Sequence, residues 1–266
     1  MAIDYVVHLT CLPKETLGVD GILDRLKAAA RAKEVIRLYR ENGDSRPPSE
    51  MGFEFARNLP DGEEEVAVIM VQDMLNQAAE LEPLLPWCAD CPANILGRPF
   101  GCYGAINYPL SSAGEKWLLD QLPDNHQPLL WLLLREALIE NDGHPVEPLR
   151  AGGVYFEERS VRGRQYSESI ASANQVFQML FLFGHIQAAH AGILLLFFNA
   201  VPREDLESAD ISRIFDGTLP QDEKEERFPF RLEHLDEDDS SISEFKTFFK
   251  ALHRAWLLNV PLLLDV

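Results

Sequence analysis

Basic residues are scarce in this chain: 24 Lys or Arg stand against 43 Asp or Glu, for a formal charge of −19. A surface of that sign repels phosphate backbones and anionic lipid headgroups, so nucleic acid is not an expected partner. Cysteine is sparse too. Four in 266 residues are too few for a disulfide scaffold. The first dozen residues show no basic leader, no long apolar core and no small-residue cleavage pattern, so no secretory signal is expected and the expected setting is the reducing cytoplasm. The glycine-rich phosphate motifs Gly-x-x-x-x-Gly-Lys-Ser and Gly-x-Gly-x-x-Gly do not occur, and neither does a serine-hydrolase elbow or His-Glu-x-x-His.

Charge is missing altogether between Glu168 and Arg203, and the run from Val176 to Val201 is long enough to cross a bilayer. Gln178, His185, Gln187, His190 and Asn199 interrupt it, Gly184 and Gly192 break its regularity, and aromatic and basic flanks are lacking. The expectation is a buried helix or helical hairpin and no membrane span.

What is present divides the chain by element type. Asp4 to Leu9 reads as a strand and Val19 to Asn42 as a long helix, with Asn42-Gly43-Asp44 as its stop. Gly52 to Asn58 and Glu64 to Val71 flank Leu59-Pro60-Asp61-Gly62, which predicts a hairpin. A further helix is expected over 72–85. From residue 111 onward helices dominate: Ser112 with Glu115, and Ser241 with Glu244, have capping-box spacing, and Ser167 to Ser172 offers several N-caps. Val154 to Glu158 and Val260 to Val266 read as short strands. The segment 203–244 holds fifteen Asp or Glu and five Lys or Arg, the composition of a solvated acidic connector or of a dock for a basic protein partner. The expected fold is α+β, with a strand-helix-hairpin platform and cysteine loop in residues 1–110. A helical core over 111–201, the acidic connector over 202–243, and a terminal helix and strand over 244–266 complete one compact unit.

Three of the four cysteines crowd into Cys88-Ala-Asp-Cys91-Pro-Ala-Asn-Ile-Leu-Gly-Arg-Pro-Phe-Gly-Cys102. A Cys-x-x-Cys turn lets two thiolates converge on one ion; Cys102, between Gly101 and Gly104, adds a third, and Cys11 or His8 a fourth. The expectation is structural zinc in a binding or regulatory module. The alternative is an iron-sulfur redox enzyme or sensor on the same cysteines: Pro92 after Cys91 is similar to the Cys-Pro ending of bacterial ferredoxin runs, although the spacing departs from theirs. A metal-free dithiol at Cys88 and Cys91, or inert thiols, are the plainer readings.

Two further groups invite chemistry. Arg159, Arg162 and Arg164 precede a helix start and suit a phosphate or carboxylate, against the plainer reading of salt bridges to Glu157, Glu158 and Glu168. Asn174, Gln178 and His185 fall on one stripe if 174–185 is a single helix, which suggests a polar track in a helical pocket, whereas His185 and His190 would lie about 140° apart.

Overall fold

The computed structural model describes residues 2–58 and 64–265. It is an α+β protein. The expected turn at Leu59 to Gly62 and the final Val266 lie outside the described residues. The chain forms two compact units: Thr10–Cys91, and Met1–Leu9 together with Pro92–Val266.

In the smaller unit, helix α1 (Leu12–Glu41) changes direction at Gly18, whose φ of 71° only glycine adopts without strain. Strands β2 (Gly52–Asn58) and β3 (Glu64–Met70) pair antiparallel, and α2 (Val71–Ala79) follows directly. Its core is Ala28 and Ala32 of α1 packed with Met51, Val71 and Met74. The helix expected over 72–85 ends early, because Pro83 lacks the N–H that would extend it; Glu82–Cys88 coils instead as a 3-10 turn.

The larger unit is built on a four-stranded antiparallel sheet of order β4-β1-β8-β7. These strands are β1 (Ala2–Val7), β4 (Tyr103–Asn107), β7 (His185–Ile186) and β8 (Leu262–Asp265). Tyr5 sits opposite Gly104 in the β1/β4 register, and a Cβ at Gly104 would collide with the Tyr5 ring. Helix α10 (Ser240–Leu257) packs on β1 and β4 and buries Phe245, Phe248, Phe249, Leu252 and Trp256. These rings meet Tyr5, Trp117, Phe181 and Phe198 in one aromatic core.

Helices α3 (Ser112–Gln121) and α7 (Ala188–Phe197) pack on α10, α6 (Ala173–Phe181) meets it through Phe181, and α4 (Pro128–Glu140) packs on α6 and α7. The short helix α5 is Glu147–Ala151, and strands β5 (Gly163–Gln165) and β6 (Ile170–Ser172) make a small hairpin. Caps differ in detail from the sequence pattern. Ser111 caps α3 and Asp239 caps α10, which releases Glu115 to pair with Arg150, and Glu244 to accept from the Asn107 amides. Ser172 and Gln175 do form a capping box, on α6. The strand expected at 154–158 is reduced to one bridge between Leu110 and Phe156.

The acidic segment is folded. It contains α8 (Ser208–Phe215) and α9 (Gln221–Arg227), cross-linked by Arg213–Glu223 and Arg227–Asp210 ion pairs. Arg231 hydrogen-bonds Glu204 and holds its carboxyl down to about 2. Each of these basic residues serves an acid of the same segment.

Candidate functional site

The proposed metal centre is not formed. Among the described residues, no three Cys, His, Asp or Glu side chains converge in a way that could hold an ion, so Cys11, Cys88, Cys91 and Cys102 make no zinc or iron-sulfur site, with or without His8. Local geometry explains why. Cys88 ends the 3-10 turn, is buried, and its thiol donates back to the Leu84 carbonyl at 3.9 Å. Cys11 is the N-cap residue of α1 and makes no side-chain cap bond. Cys102 is buried beside β1, its carbonyl accepting from Val7.

An asparagine organises the loop where a metal was expected to. Asn94 Oδ1 accepts from the amides of Leu96 and Gly97, and its Nδ2 donates to the Arg98 carbonyl at 3.0 Å. Ala93, Ile95 and Phe100 are buried beneath. Gly101 is small because the Asn94 side chain occupies the space a Cβ would need. The glycines beside Cys102 therefore make room for Asn94 and Tyr5, with no role in approaching an ion.

The three arginines have separate surroundings. Arg164 Nη1 donates to the carbonyls of Leu119, Asp120 and Leu122, and so closes the C-terminus of α3. Arg162 donates to Ser112 Oγ and to Glu158 at 3.1 Å, and Arg159 is exposed. Arg203 completes the same helix end from another direction, through Gln121, and also reaches Leu196 and Phe197 at the end of α7.

The polar stripe expected on one helix is broken, because α6 stops at Phe181 and His185 lies in β7. Asn174, Gln175 and Gln178 hold neighbouring elements instead. Asn174 accepts from Arg150 Nε at 2.7 Å, Gln175 donates to the Leu138 carbonyl at 2.8 Å, and Gln178 accepts from Gly143 N at 2.7 Å. The Gln175 bond pins the last turn of α4 to α6, and the Gln178 bond holds the turn that follows α4.

Against this pinned frame lies a cleft of about 560 Å³. One wall is α4, contributing Leu133, Glu136, Ala137 and Glu140; the facing wall is α7, contributing His190, Ile193, Leu194 and Phe197. Met179 of α6 and His185 and Ile186 of β7 also line it, with Phe183 from the α6–β7 connection and Phe215 from α8. The α7 wall is held by Gly192, where a Cβ would come within 2.8 Å of both Ile214 and Trp256. Helix α7 thus lies close against α8 and α10, and its opposite stripe faces the cleft.

No family model, curated protein or solved structure matches this chain. The chemistry of the cleft must be read from its own residues. The walls are mostly aliphatic and aromatic, and the charged groups among its lining residues are the carboxylates Glu136 and Glu140, with neither Lys nor Arg. Arg135 donates to Glu136 at 3.0 Å from outside the cleft. His185, His190, Gln187 and Asn141 add polar groups. Helical geometry had set His185 and His190 on different faces; the break at Gly184 puts them on different elements, both lining one cleft. Leu133, Ala137 and the α7 stripe were legible only as core positions, since a helix with apolar residues on all sides does not announce which side stays open.

Proposed function

We propose that this protein is a binding module whose helical cleft takes an apolar guest carrying positive charge. The observation that carries this reading is a preformed cleft of about 560 Å³ whose lining is apolar except for a few polar groups, two of them carboxylates and none of them Lys or Arg. That size and composition suit a ligand pocket of several hundred Å³. Its walls are fixed by side-chain bonds from Gln175 and Gln178 and by the close seat of Gly192, so a guest meets a surface that is already shaped. Apolar surface left open to water costs about 25 cal/mol per Å², a penalty that a guest relieves.

Calorimetric titration with decyltrimethylammonium below its micelle concentration tests this, with decyl sulfate as the anionic control. The expected result is saturable one-to-one binding of the cation, at least about tenfold tighter than the sulfate. Glu140→Gln narrows that preference, and Ala137→Trp, which fills the cleft, abolishes binding with little change in Tm. Equal binding of the two amphiphiles, or binding undiminished in Ala137→Trp, would show the reading to be wrong.

A further inference from the structure

The two walls of the cleft share a spacing that a small amphiphile does not require. Leu133, Glu136, Ala137 and Glu140 on α4 fall at i, i+3, i+4 and i+7, and His190, Ile193, Leu194 and Phe197 on α7 repeat that spacing. Each stripe therefore runs about 10 Å along its helix, taking about 1.5 Å per residue. The α4 stripe is open, with Leu133 and Ala137 half-buried and Glu136 and Glu140 exposed, whereas on the α7 stripe His190 is exposed and Ile193, Leu194 and Phe197 form a buried floor. A third helix packs along the α4 stripe with His190 at its edge.

The apolar surface also continues past the cleft. Leu129, Leu132 and Ile139 on α4 are exposed, Ile139 by 66%, and Phe183 and Phe215 stand exposed at the cleft itself. A pocket for a small molecule ends at its mouth, whereas an apolar surface that extends over the neighbouring helix face fits a macromolecular partner. Charge selects among such partners. Glu140 and Glu136 stand on the α4 wall, among the described residues only Glu136 has an arginine beside it, and the whole chain carries −19. A second copy of this chain would bring that same charge to the contact.

From the open α4 stripe, the exposed α4 face and the wall carboxylates, we infer that the occupant of the cleft is an amphipathic helix of a partner protein, basic along the edge that meets Glu136 and Glu140. The inference rests on the reading of the cleft as a site for a cationic apolar guest. A helix of two to three turns spans the α4 stripe, with its own i, i+3, i+4 and i+7 residues seated against Leu133, Ala137, Phe183 and Phe215. Lysine or arginine beside those anchors pairs with Glu140.

The test uses the full chain and a designed peptide of about 18 residues, long enough to form a helix on the surface. Leucines at i, i+3, i+4 and i+7 make one face and lysines the other, and a control peptide has the same composition in an order that destroys the stripe. The expected result is that the striped peptide displaces decyltrimethylammonium, gains helicity on binding, and binds at least about tenfold tighter than the control. Glu136→Gln with Glu140→Gln weakens it, and Ala137→Trp abolishes it. If the amphiphile binds in the cleft and the striped peptide does not displace it, the helix is the wrong occupant while the cationic-guest reading stands. If neither binds, both fail. A wild-type dimer in sedimentation that Ala137→Trp converts to monomer would identify a second copy as the occupant and overturn the proposal.

Discussion

Helix α6 faces opposite chemistry at its two ends. At the first, Asn174 joins Glu115 and Arg150 in a cluster where the paired side chains are only 3% exposed, and where Arg150 also donates to the Glu158 carbonyl and lies 3.8 Å above the Phe156 ring. At the second, Met179 lines an open apolar cleft. The charged end is closed and its hydrogen bonds are made; the apolar end is a buried floor beside Phe183 and Phe215, which stay exposed at the cleft. Conspicuous polar residues here brace the fold, and the region able to receive something from outside is the greasy one.

The largest test of that contrast is Arg150→Met. Removing one partner strands the Glu115 carboxylate in the interior, which costs about 3–5 kcal/mol, and replacing both together with Glu115→Leu restores much of the loss. Urea unfolding reads both, and amphiphile affinity in the surviving folded protein stays near wild type. A loss in Arg150→Met well under about 1 kcal/mol would mean the cluster is not the closed brace described. Next in size is Gly192→Ala, where the new methyl meets Ile214 and Trp256 at 2.8 Å; overpacking of this kind costs about 1–3 kcal/mol. Because α7 is also a cleft wall, this variant should lose guest affinity as well as Tm, unlike Arg150→Met. Unchanged affinity would separate the seat of α7 from the cleft.

A smaller effect concerns pH. Burial lowers the His253 imidazole below its ordinary 6.5, although the Phe228 carbonyl at 3.0 Å opposes this by holding a ring N–H. The unfolded chain then binds the proton more readily than the folded one, so the stability tied to this residue is whole above about pH 6.5 and drains as pH falls toward the lowered value. His253→Gln should show a shallower loss of Tm between pH 7.5 and pH 5.5 than wild type. Parallel slopes would remove His253 from the account.

The α+β class, the β2/β3 strands and the α10 helix were legible in residue pattern, because that signal is local, although Asp239 caps α10 in place of the expected Ser241 and Glu244. The expected cysteine site was not a local matter: proximity along the chain says nothing of which way a thiol points, and the Leu84 carbonyl turns Cys88 away while Asn94 does the bracing expected of zinc. The uncharged stretch was read as helical, but a two-residue strand, His185–Ile186, pairs with Leu262 and Leu263 from the end of the chain. That pairing joins segments more than seventy residues apart, and it is what sets His185 in the cleft instead of on the stripe of Asn174 and Gln178. Glu115 shows the same limit at smaller scale, since its capping-box position is overridden by Arg150.

The most direct measurement is a methyl NMR titration of the full chain with decyltrimethylammonium. The account predicts saturable shifts concentrated at Met179, Ile193 and Leu194 and at the Ala137 methyl, with Ala28, Ala32 and Met74 of the smaller unit unmoved. Shifts centred elsewhere, or none at these four residues up to saturation, would contradict the claim that this cleft is the binding site.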